Sequence, residues 1–321
     1  MKDLFEKIES SLAGLPLGDS PQNLYDPIRY ILSLGGKRLR PMLVLLGYGL
    51  KKDDATSIIN PALTVEIFHN FTLMHDDIMD EAPIRRGKPT VHEKWNNTVA
   101  ILSGDTMMVK AYDQLLTGPQ ESLSSAIRKF NKCAVEVCEG QQLDMNYEEL
   151  ETVTEAQYIE MIRLKTAVLL GFSLEYGGLL AGMNEVELVK LHAIGEKAGI
   201  GFQLMDDLLD VYGDKAKFGK QVGGDIVSNK KTYLLIKALE LANASQRKEL
   251  NKWLSAREFD ISDKVEAIKN IYGELGIFEL TQGMMNEYYD EAFSLLDELD
   301  ARAEGKRMLV DFFTRLMKRE R

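Results

Sequence analysis

Several features that would indicate particular protein classes are scarce in this 321-residue sequence. It contains only two cysteines, Cys133 and Cys138, and neither has the nearby histidine or cysteine partners of a zinc site. We interpret both as buried thiols of a reducing compartment. No apolar run approaches the roughly 18 residues of a membrane span, and the first residues lack the apolar stretch of a signal peptide. We therefore expect a cytoplasmic protein without stable membrane insertion.

The sequence also has fewer positively than negatively charged residues. The chain has 39 Lys and Arg against 50 Asp and Glu, which gives a formal net charge of -11. Such a balance argues against a protein that coats nucleic acid. A content of 45% hydrophobic and 28% charged residues is enough for a sizeable core. Local clusters of basic residues therefore stand out against an acidic background.

Strand-like alternation is scarce, and only 8 prolines interrupt the chain. Apolar residues instead recur at intervals of three and four over most of the sequence, which predicts helices nearly throughout. Several predicted helices exceed 20 residues, as a bundle around a deep central cavity would need. No loop is long enough or polar enough to separate two domains. The sequence therefore predicts an all-α, single-domain helical bundle that spans residues 1–321.

The most informative feature is an aspartate motif that occurs twice. The copies are Asp76-Asp77-Ile78-Met79-Asp80 and Asp206-Asp207-Leu208-Leu209-Asp210, each at the end of an apolar helical stretch. On a helix, residues i and i+4 share a face, so each motif presents three carboxylates close together. Such clusters repel unless cations neutralise them, and hard oxygen ligands suit Mg²⁺ that also binds phosphate oxygens. Two copies predict a cleft that holds a polyphosphate through several Mg²⁺ ions.

Basic clusters accompany these motifs. One cluster lies in the Gly-led segment Gly35-Gly36-Lys37-Arg38-Leu39-Arg40-Pro41, and a second follows the first aspartate motif as Arg85-Arg86-Gly87-Lys88. The cations after the second motif are Lys215, Lys217, Lys220, Lys230 and Lys231. Guanidinium groups match phosphate oxygens as planar forks, and ammonium groups act as point charges. The pattern predicts two diphosphates, one bound through metal and one through side chains.

Taken in order, these motifs resemble the trans-isoprenyl diphosphate synthases of the polyprenyl synthetase family. The shared motifs are G-G-K-R-x-R-P, H-D-D-x-x-D followed by R-R-G-x-P-T, then K-T at Lys165-Thr166, and F-Q-x-x-D-D-x-x-D. The resemblance runs from about Tyr25 to about Leu241. Asp144 also matches a family position without a clear role. The sequence departs from the family where Asn229 replaces a common glycine before Lys230.

The resemblance implies a role for each matched residue. The implied Mg²⁺ ligands, for three ions, are Asp76, Asp77, Asp80, Asp206, Asp207 and Asp210, with Asp77 and Asp207 as ligands or as support. The implied isopentenyl diphosphate ligands are Lys37, Arg40, His69 and Arg86. The implied allylic ligands are Arg85, Lys165, Thr166, Gln203, Lys220 and Lys230, although Lys231 is an alternative to Lys230. The implied catalytic set is Asp76, Asp80, Arg85, Lys165, Thr166, Gln203 and Asp206.

The implied reaction is head-to-tail condensation of isopentenyl diphosphate with an allylic diphosphate, carried out by a homodimer. A non-catalytic partner subunit is a rival interpretation, but such a chain should have lost aspartates or cations. A terpene cyclase is a second rival, but it has no need of isopentenyl ligands such as Lys37 and Arg40. Product length is expected to depend on an apolar tunnel with Phe71 as its floor, and Phe68, Met107 or Met108 are alternatives. We expect a C20 product ahead of C15 or longer chains.

Overall fold

A computed structural model describes residues 1–213 and 223–318 of the chain. The predicted ligand Lys220 and its neighbours Lys215 and Lys217 lie outside this part. The helices of the described part are α1 (Lys2–Ala13), α2 (Gln22–Ser33), α3 (Leu39–Gly49), α4 (Ile59–Met79), α5 (Val91–Lys94), α6 (Asn97–Leu115), α7 (Leu123–Glu149), α8 (Glu155–Ile162), α9 (Val168–Leu180), α10 (Glu185–Tyr212), α11 (Gly224–Val227), α12 (Tyr233–Leu241), α13 (Ala244–Ser255), α14 (Ile261–Glu274), α15 (Ile277–Asp297) and α16 (Ala303–Met317). The predicted all-α fold is confirmed.

Short segments of other structure complete the described part. Ala55–Ile58 forms a 3-10 turn, and Arg163–Ala167 forms a π-helical turn that continues α8 into α9. Two short strands, β1 (Ile84–Arg85) and β2 (Lys88–Pro89), pair antiparallel. Within residues 1–213 and 223–318, no helix combines the length and apolar character needed to cross a bilayer.

The chain divides into two compact units. The first comprises Met1–Asn131, Phe172–His192 and Leu299–Leu309, and the second comprises Lys132–Gly171, Ala193–Glu298 and Val310–Arg321. The single polyprenyl synthetase domain over residues 1–321 stays a prediction.

Helix α4 is the centre of the first unit and carries the first aspartate motif at its end. It packs along α6 and against α3. Its first ten residues are all buried except for an exposed Asn60, because apolar side chains surround this part of the helix. From His69 onward the side chains are mostly half-buried, and Asp80 at the C-terminal cap is exposed. The helix therefore runs from the core to the surface, where its acidic residues lie.

A β-hairpin places the basic segment beside that motif. Ile84 pairs with Pro89, and Arg85 pairs with Lys88. The two loop residues, Arg86 and Gly87, both have positive φ angles, 52° and 74°. That combination is typical of the tight turn whose twist suits a two-residue hairpin. The two consecutive arginines have different neighbours, since Arg85 pairs with Asp77 and Arg86 donates to the Gly35 carbonyl.

Buried ion pairs join the helices of the first unit. The Glu175 side chain is only 7% exposed and accepts hydrogen bonds from Lys129 Nζ at 2.7 Å and from His192 Nδ1 at 2.9 Å. Burial alone would raise the pKa of Glu175, but the bonds from His192 and Lys129 hold it below its ordinary value. This carboxylate is therefore ionised in the folded protein at neutral pH.

The second unit has its own apolar core around the end of α10. Buried side chains from α10, α11, α12, α13, α14 and the start of α15 meet there. The core residues are Leu208, Val211, Ile226, Leu234, Ala238, Leu250, Ile268, Ile271, Tyr272 and Ile277. Because Leu208 lies inside the second aspartate motif, burial of this side fixes which aspartates remain accessible.

Candidate active site

The first aspartate motif divides into one buried and two more accessible carboxylates. Asp77 is 2% exposed, Asp76 is half-buried and Asp80 is exposed. Arg85 Nε lies 2.9 Å from both Asp77 oxygens, and Arg85 Nη2 lies 2.7 Å from Oδ1. Carboxylates are disfavoured at the negative C-terminal end of a helix, so this cation stabilises the end of α4. The geometry favours a supporting role for Asp77 and leaves Asp76 and Asp80 as the candidate metal ligands.

The second motif repeats this arrangement with different partners. Asp207 is 4% exposed, whereas Asp206 and Asp210 are half-buried. One Asp207 oxygen accepts from the Tyr158 hydroxyl, and the other accepts from Gln203 Nε2 at 3.1 Å. Burial and the nearby Asp225 carboxylate raise the pKa of Asp207 to about 8. Positive charge near the motif would favour the ionised form.

The second aspartate motif is also tied to the short helix α11. Asp210 Oδ2 accepts a hydrogen bond at 2.9 Å from the backbone N–H of Asp225. The backbone N–H of Gly223 donates to the Asp210 carbonyl at 2.7 Å. The C-terminal part of α10 is therefore fixed to the segment that leads to Lys230.

The K-T motif lies in the π-helical turn between α8 and α9. A π-turn inserts one residue into a helix and is frequent at functional sites. Thr166 Oγ1 donates to Gln203 Oε1 at 3.2 Å, which extends the hydrogen-bonded chain that ends at Asp207. Gly140 allows α7 to lie close against the backbone of this turn, since a Cβ there would lie 2.2 Å from the Lys165 backbone nitrogen.

A buried aspartate gathers two of the predicted allylic ligands. Asp144 Oδ2 lies 2.6 Å from Lys165 Nζ and 3.7 Å from Lys230 Nζ. Burial alone would raise the pKa of Asp144, but Lys230 and Lys165 hold it below its ordinary value. The neighbouring Lys231 points elsewhere, because its ammonium donates to the Glu148 carbonyl at 3.0 Å. Of the two lysines, Lys230 is therefore the one that lies with Lys165.

The predicted isopentenyl ligands lie together in the first unit. Arg86 donates to the Gly35 carbonyl, which brings it to the Gly-led segment that carries Lys37. His69 is half-buried. Burial and the neighbouring guanidinium groups of Arg40 and Arg86 place the pKa of His69 well below its ordinary value, so the ring is neutral at pH 7. A neutral imidazole among arginines can donate or accept a hydrogen bond without adding charge.

Arg38 corrects the sequence interpretation of the Gly-led segment. The sequence groups it with Lys37 and Arg40 as a phosphate-binding cation, but it is 2% exposed. Its guanidinium contacts Glu66 Oε1 at 2.7 Å and Glu9 Oε1 at 2.5 Å. Arg38 is therefore a structural link between α4 and α1. The two cations beside it are more accessible, since Lys37 is exposed and Arg40 is half-buried.

Aromatic rings form a continuous column in the first unit, starting next to the first aspartate motif. Neighbouring ring centroids lie 4.8 to 5.7 Å apart along this column. In order, its members are His75, Phe71, Phe68, Phe130, Phe172 and Tyr176. Phe71 is half-buried, and the four rings that follow it are 0% exposed. Of the two predicted chain-length residues, Phe71 is thus the accessible one and Phe68 lies behind it.

Sequence reasoning missed Tyr158, Gly140 and the pairing role of Asp144. Tyr158 reads as one more apolar position of a helix. Gly140 carried a weak signal, because a glycine inside a helical pattern often marks a close approach. The partners of Asp144 lie 21 and 86 residues away, so local spacing could not reveal them.

An all-α fold with an aspartate motif at the C-terminal end of each of two long helices, and with cations gathered nearby, defines the class of the isoprenoid synthases. Within the described residues no three His, Cys, Asp or Glu side chains form a metal-binding group by themselves. Aspartate oxygens in such motifs still suit Mg²⁺, which usually takes one or two carboxylates and completes its shell with water and substrate phosphates.

The chain belongs to the polyprenyl synthetase family, whose sequence profile matches residues 21–272. A geranylgeranyl pyrophosphate synthase of Geoglobus acetivorans is 36% identical over 322 aligned positions, covering 100% of this chain and 98% of the relative. A short chain isoprenyl diphosphate synthase of Methanocaldococcus jannaschii is 39% identical and covers 84% of this chain and 82% of the relative. A crystal structure of a geranylgeranyl pyrophosphate synthase has a TM-score of 0.92 and 40% identity, and covers 100% of this chain and 98% of that one. The family predicted from the sequence is confirmed.

Proposed function

We propose that this protein is a prenyltransferase that condenses isopentenyl diphosphate head-to-tail with an allylic diphosphate to give an all-trans prenyl diphosphate. Family membership supports the class of reaction. The observation that carries the proposal is the sorting of the cations into separate groups. Arg85 pairs with Asp77, Arg86 and Arg40 lie close enough to His69 to lower its pKa, and Lys165 and Lys230 share Asp144. Separate groups suit two substrates that each carry a diphosphate.

The group formed by Arg86, Arg40 and His69 binds isopentenyl diphosphate in this proposal. Arg86 and Arg40 supply charge-assisted hydrogen bonds to its diphosphate, together with the exposed ammonium of Lys37. Neutral His69 adds a hydrogen bond without repelling the arginines. The isopentenyl double bond is thereby oriented without metal.

The group formed by Lys165 and Lys230, together with Arg85, binds the allylic diphosphate. Lys165, Lys230 and Lys220 provide positive charge for the diphosphate that leaves as its bond to the allylic carbon breaks. The new carbon–carbon bond then forms with the isopentenyl double bond, and the proton that is lost goes to the departing diphosphate. The hydrogen-bonded pair Thr166 and Gln203 presents oxygen dipoles that could steady the allylic cation.

Mg²⁺ would be held by Asp76, Asp80, Asp206 and Asp210, and three ions are the number we propose. When bound, it neutralises the charge that develops on the leaving diphosphate. Asp77 and Asp207 hold the ends of their motifs through Arg85 and through Tyr158 with Gln203.

We propose geranylgeranyl diphosphate, the C20 product, as the main product. The names of several relatives support it, as does Phe71 at the accessible end of the aromatic column. We further propose that the enzyme works in the cytoplasm as a homodimer. Both cysteines are free thiols, which fits a reducing compartment, but the expectation that both are buried is wrong for Cys138, which is exposed while Cys133 is buried.

The test is a product assay with purified protein. Labelled isopentenyl diphosphate is incubated with Mg²⁺ and one primer at a time, namely dimethylallyl, geranyl or farnesyl diphosphate. We expect labelled prenyl diphosphate that is C20 after dephosphorylation, and no product when the metal is chelated. A hydrocarbon product formed without isopentenyl diphosphate would indicate a cyclase. No product with any primer would refute the proposal.

A further inference from the structure

Lys264 is an unusual residue for a protein core. It lies in α14, is 0% exposed, and among the described residues it has no carboxylate within ion-pair distance. Its ammonium donates to the Val227 carbonyl at 3.1 Å and to Asn229 Oδ1 at 2.7 Å, and it lies 4.2 Å from the Phe259 ring centroid. Burial lowers the pKa of Lys264. Burying a charged ammonium without a carboxylate partner costs free energy, which suggests that Lys264 has a specific role.

The amide of Asn229 is held at both ends. Its Oδ1 accepts from Lys264, and its Nδ2 donates to the Leu254 carbonyl at 3.0 Å. The Asn229 backbone has a φ of 56°, in the left-handed region that glycine adopts freely and that asparagine tolerates better than most residues. This is also the position at which the sequence departs from the glycine common in the family. We define Lys264, Asn229 and the Leu254 carbonyl as the Asn229 clamp.

The clamp lies directly before Lys230. The Lys230 backbone N–H donates to the Asp225 carbonyl at 2.9 Å, and its ammonium lies 3.7 Å from the same Asp144 oxygen that binds Lys165. Asn229 and Lys230 also line one small cleft, with Leu254 on its wall. The direction in which the Lys230 side chain leaves the turn therefore depends on the residue that the clamp holds.

We propose that Lys264 and Asn229 are positioning residues that act through Lys230 on the allylic diphosphate. This inference rests on the proposed function. Asn229 replaces the freedom of a glycine with a fixed turn, and Lys264 supplies the bond that fixes it. Neither residue needs to contact substrate.

The test uses two variants that remove the clamp in different ways. Lys264→Met keeps the length of the side chain and removes its donors, whereas Asn229→Gly keeps the left-handed backbone accessible and removes the amide. We expect each to raise the KM for the allylic diphosphate about tenfold, the effect of weakening one charge-assisted contact, with the KM for isopentenyl diphosphate within about twofold. Exposed Lys252→Met is the matched control and should change neither constant.

The clamp could instead stabilise the fold without acting through Lys230. Repeating the substitutions in a Lys230→Ala background distinguishes the two roles. Acting through Lys230, Lys264→Met and Asn229→Gly should then change the allylic KM by less than about twofold. Equal effects on both substrates, or a tenfold effect that persists without Lys230, would overturn the inference. If Lys264→Met does not fold, as a thermal melt would reveal, Asn229→Gly alone decides the question.

Calorimetry with magnesium diphosphate separates this inference from the proposed function. The clamp variants should bind that probe more weakly than the wild type. In the Lys230→Ala background the same substitutions should not weaken binding further. An inactive wild-type protein would refute the proposed function, while unchanged diphosphate binding in both clamp variants would refute the positioning role.

Discussion

Removing the ring of Phe71 should lengthen the product by one isoprene unit. Phe71 is the half-buried first phenylalanine of the aromatic column, and fully buried Phe68 stands behind it at a centroid distance of 5.6 Å. At a helical rise of 1.5 Å per residue, Phe71 lies about 7.5 Å along α4 from Asp76, and Phe68 about 4.5 Å further. An extended isoprene unit adds four chain carbons, or about 5 Å with C–C bonds near 1.5 Å. The space gained is therefore about one unit.

Phe71→Ala should therefore convert a C20 synthase mainly into a C25 synthase, with Phe68 as the new limit on chain length. The cost in stability should be about 1–2 kcal/mol, because Phe71 is only half-buried. Phe68→Ala alone should leave product length unchanged and cost about 3–5 kcal/mol, because it creates a cavity in the core. The double variant should extend the product beyond C25, toward the ring of Phe130.

Chromatography of the dephosphorylated products, beside a thermal melt of each variant, measures both effects. Phe293→Ala is a suitable control, since it removes a half-buried ring that packs on Tyr289 in the second unit. It should lower stability without changing product length. An unchanged length distribution in Phe71→Ala, or a longer product from Phe68→Ala alone, would refute the prediction that the growing product meets Phe71 before Phe68.

Three further predictions concern metal, substrate and pH. Asp206→Ala should lower turnover on the order of 10³-fold, because charge on the leaving diphosphate would be less stabilised, and calorimetry should show weaker binding of magnesium diphosphate. Arg86→Ala should weaken isopentenyl diphosphate by about 1.5–3 kcal/mol, whereas Arg85→Ala should act mainly on the allylic partner; kinetics with each substrate varied separately measure both. The pKa of Glu175 is lowered on folding, so its contribution to stability is present above the unfolded value of about 4.3 and is lost as pH falls through the lower folded value. Glu175→Gln should therefore flatten the decline of the melting temperature across that acidic range.

Each of these predictions has an outcome that would contradict it. Near-normal turnover in Asp206→Ala, or activity in excess chelator, would remove the Mg²⁺ assignment. Equal effects of the two arginine substitutions on both substrates would argue against separate binding groups. An unchanged acid profile in Glu175→Gln would mean that other carboxylates control the decline, and exposed Glu258→Gln serves as the control for that experiment.

The sequence predicted the features that depend on local spacing. The aspartate motifs, the Gly-led turn and the helical character of most of the chain all follow from patterns within a few turns of helix. The hairpin at β1 and β2 did not, since strands of two residues are too short to show alternation. The π-turn at Lys165 did not either, because one extra residue hardly disturbs an apolar pattern of threes and fours.

Features that depend on distant partners could not be predicted from the sequence. Arg38 reads as a binding cation until Glu9 and Glu66, 29 and 28 residues away, are placed beside it. Lys264 reads as an ordinary surface lysine until the fold brings it to Asn229, 35 residues earlier. In both cases the sequence identifies the charged residue, but it does not show that the side chain is already bound by residues far away in the chain.

The π-turn has a consequence for which insertions and deletions the chain can accept. Helices α8 and α9 are continuous through it, and the turn holds one residue more than regular α-helix would. Losing one residue between Arg163 and Ala167 would therefore remove the bulge and leave regular α-helix, so the residues that follow would keep their phase. In the regular helix that flanks the turn, by contrast, losing one residue would rotate the residues that follow by about 100°. A deletion within the turn should thus leave the helix intact while it changes the geometry that brings Thr166 to Gln203, and a homologue with one residue fewer there should fold and have an altered site.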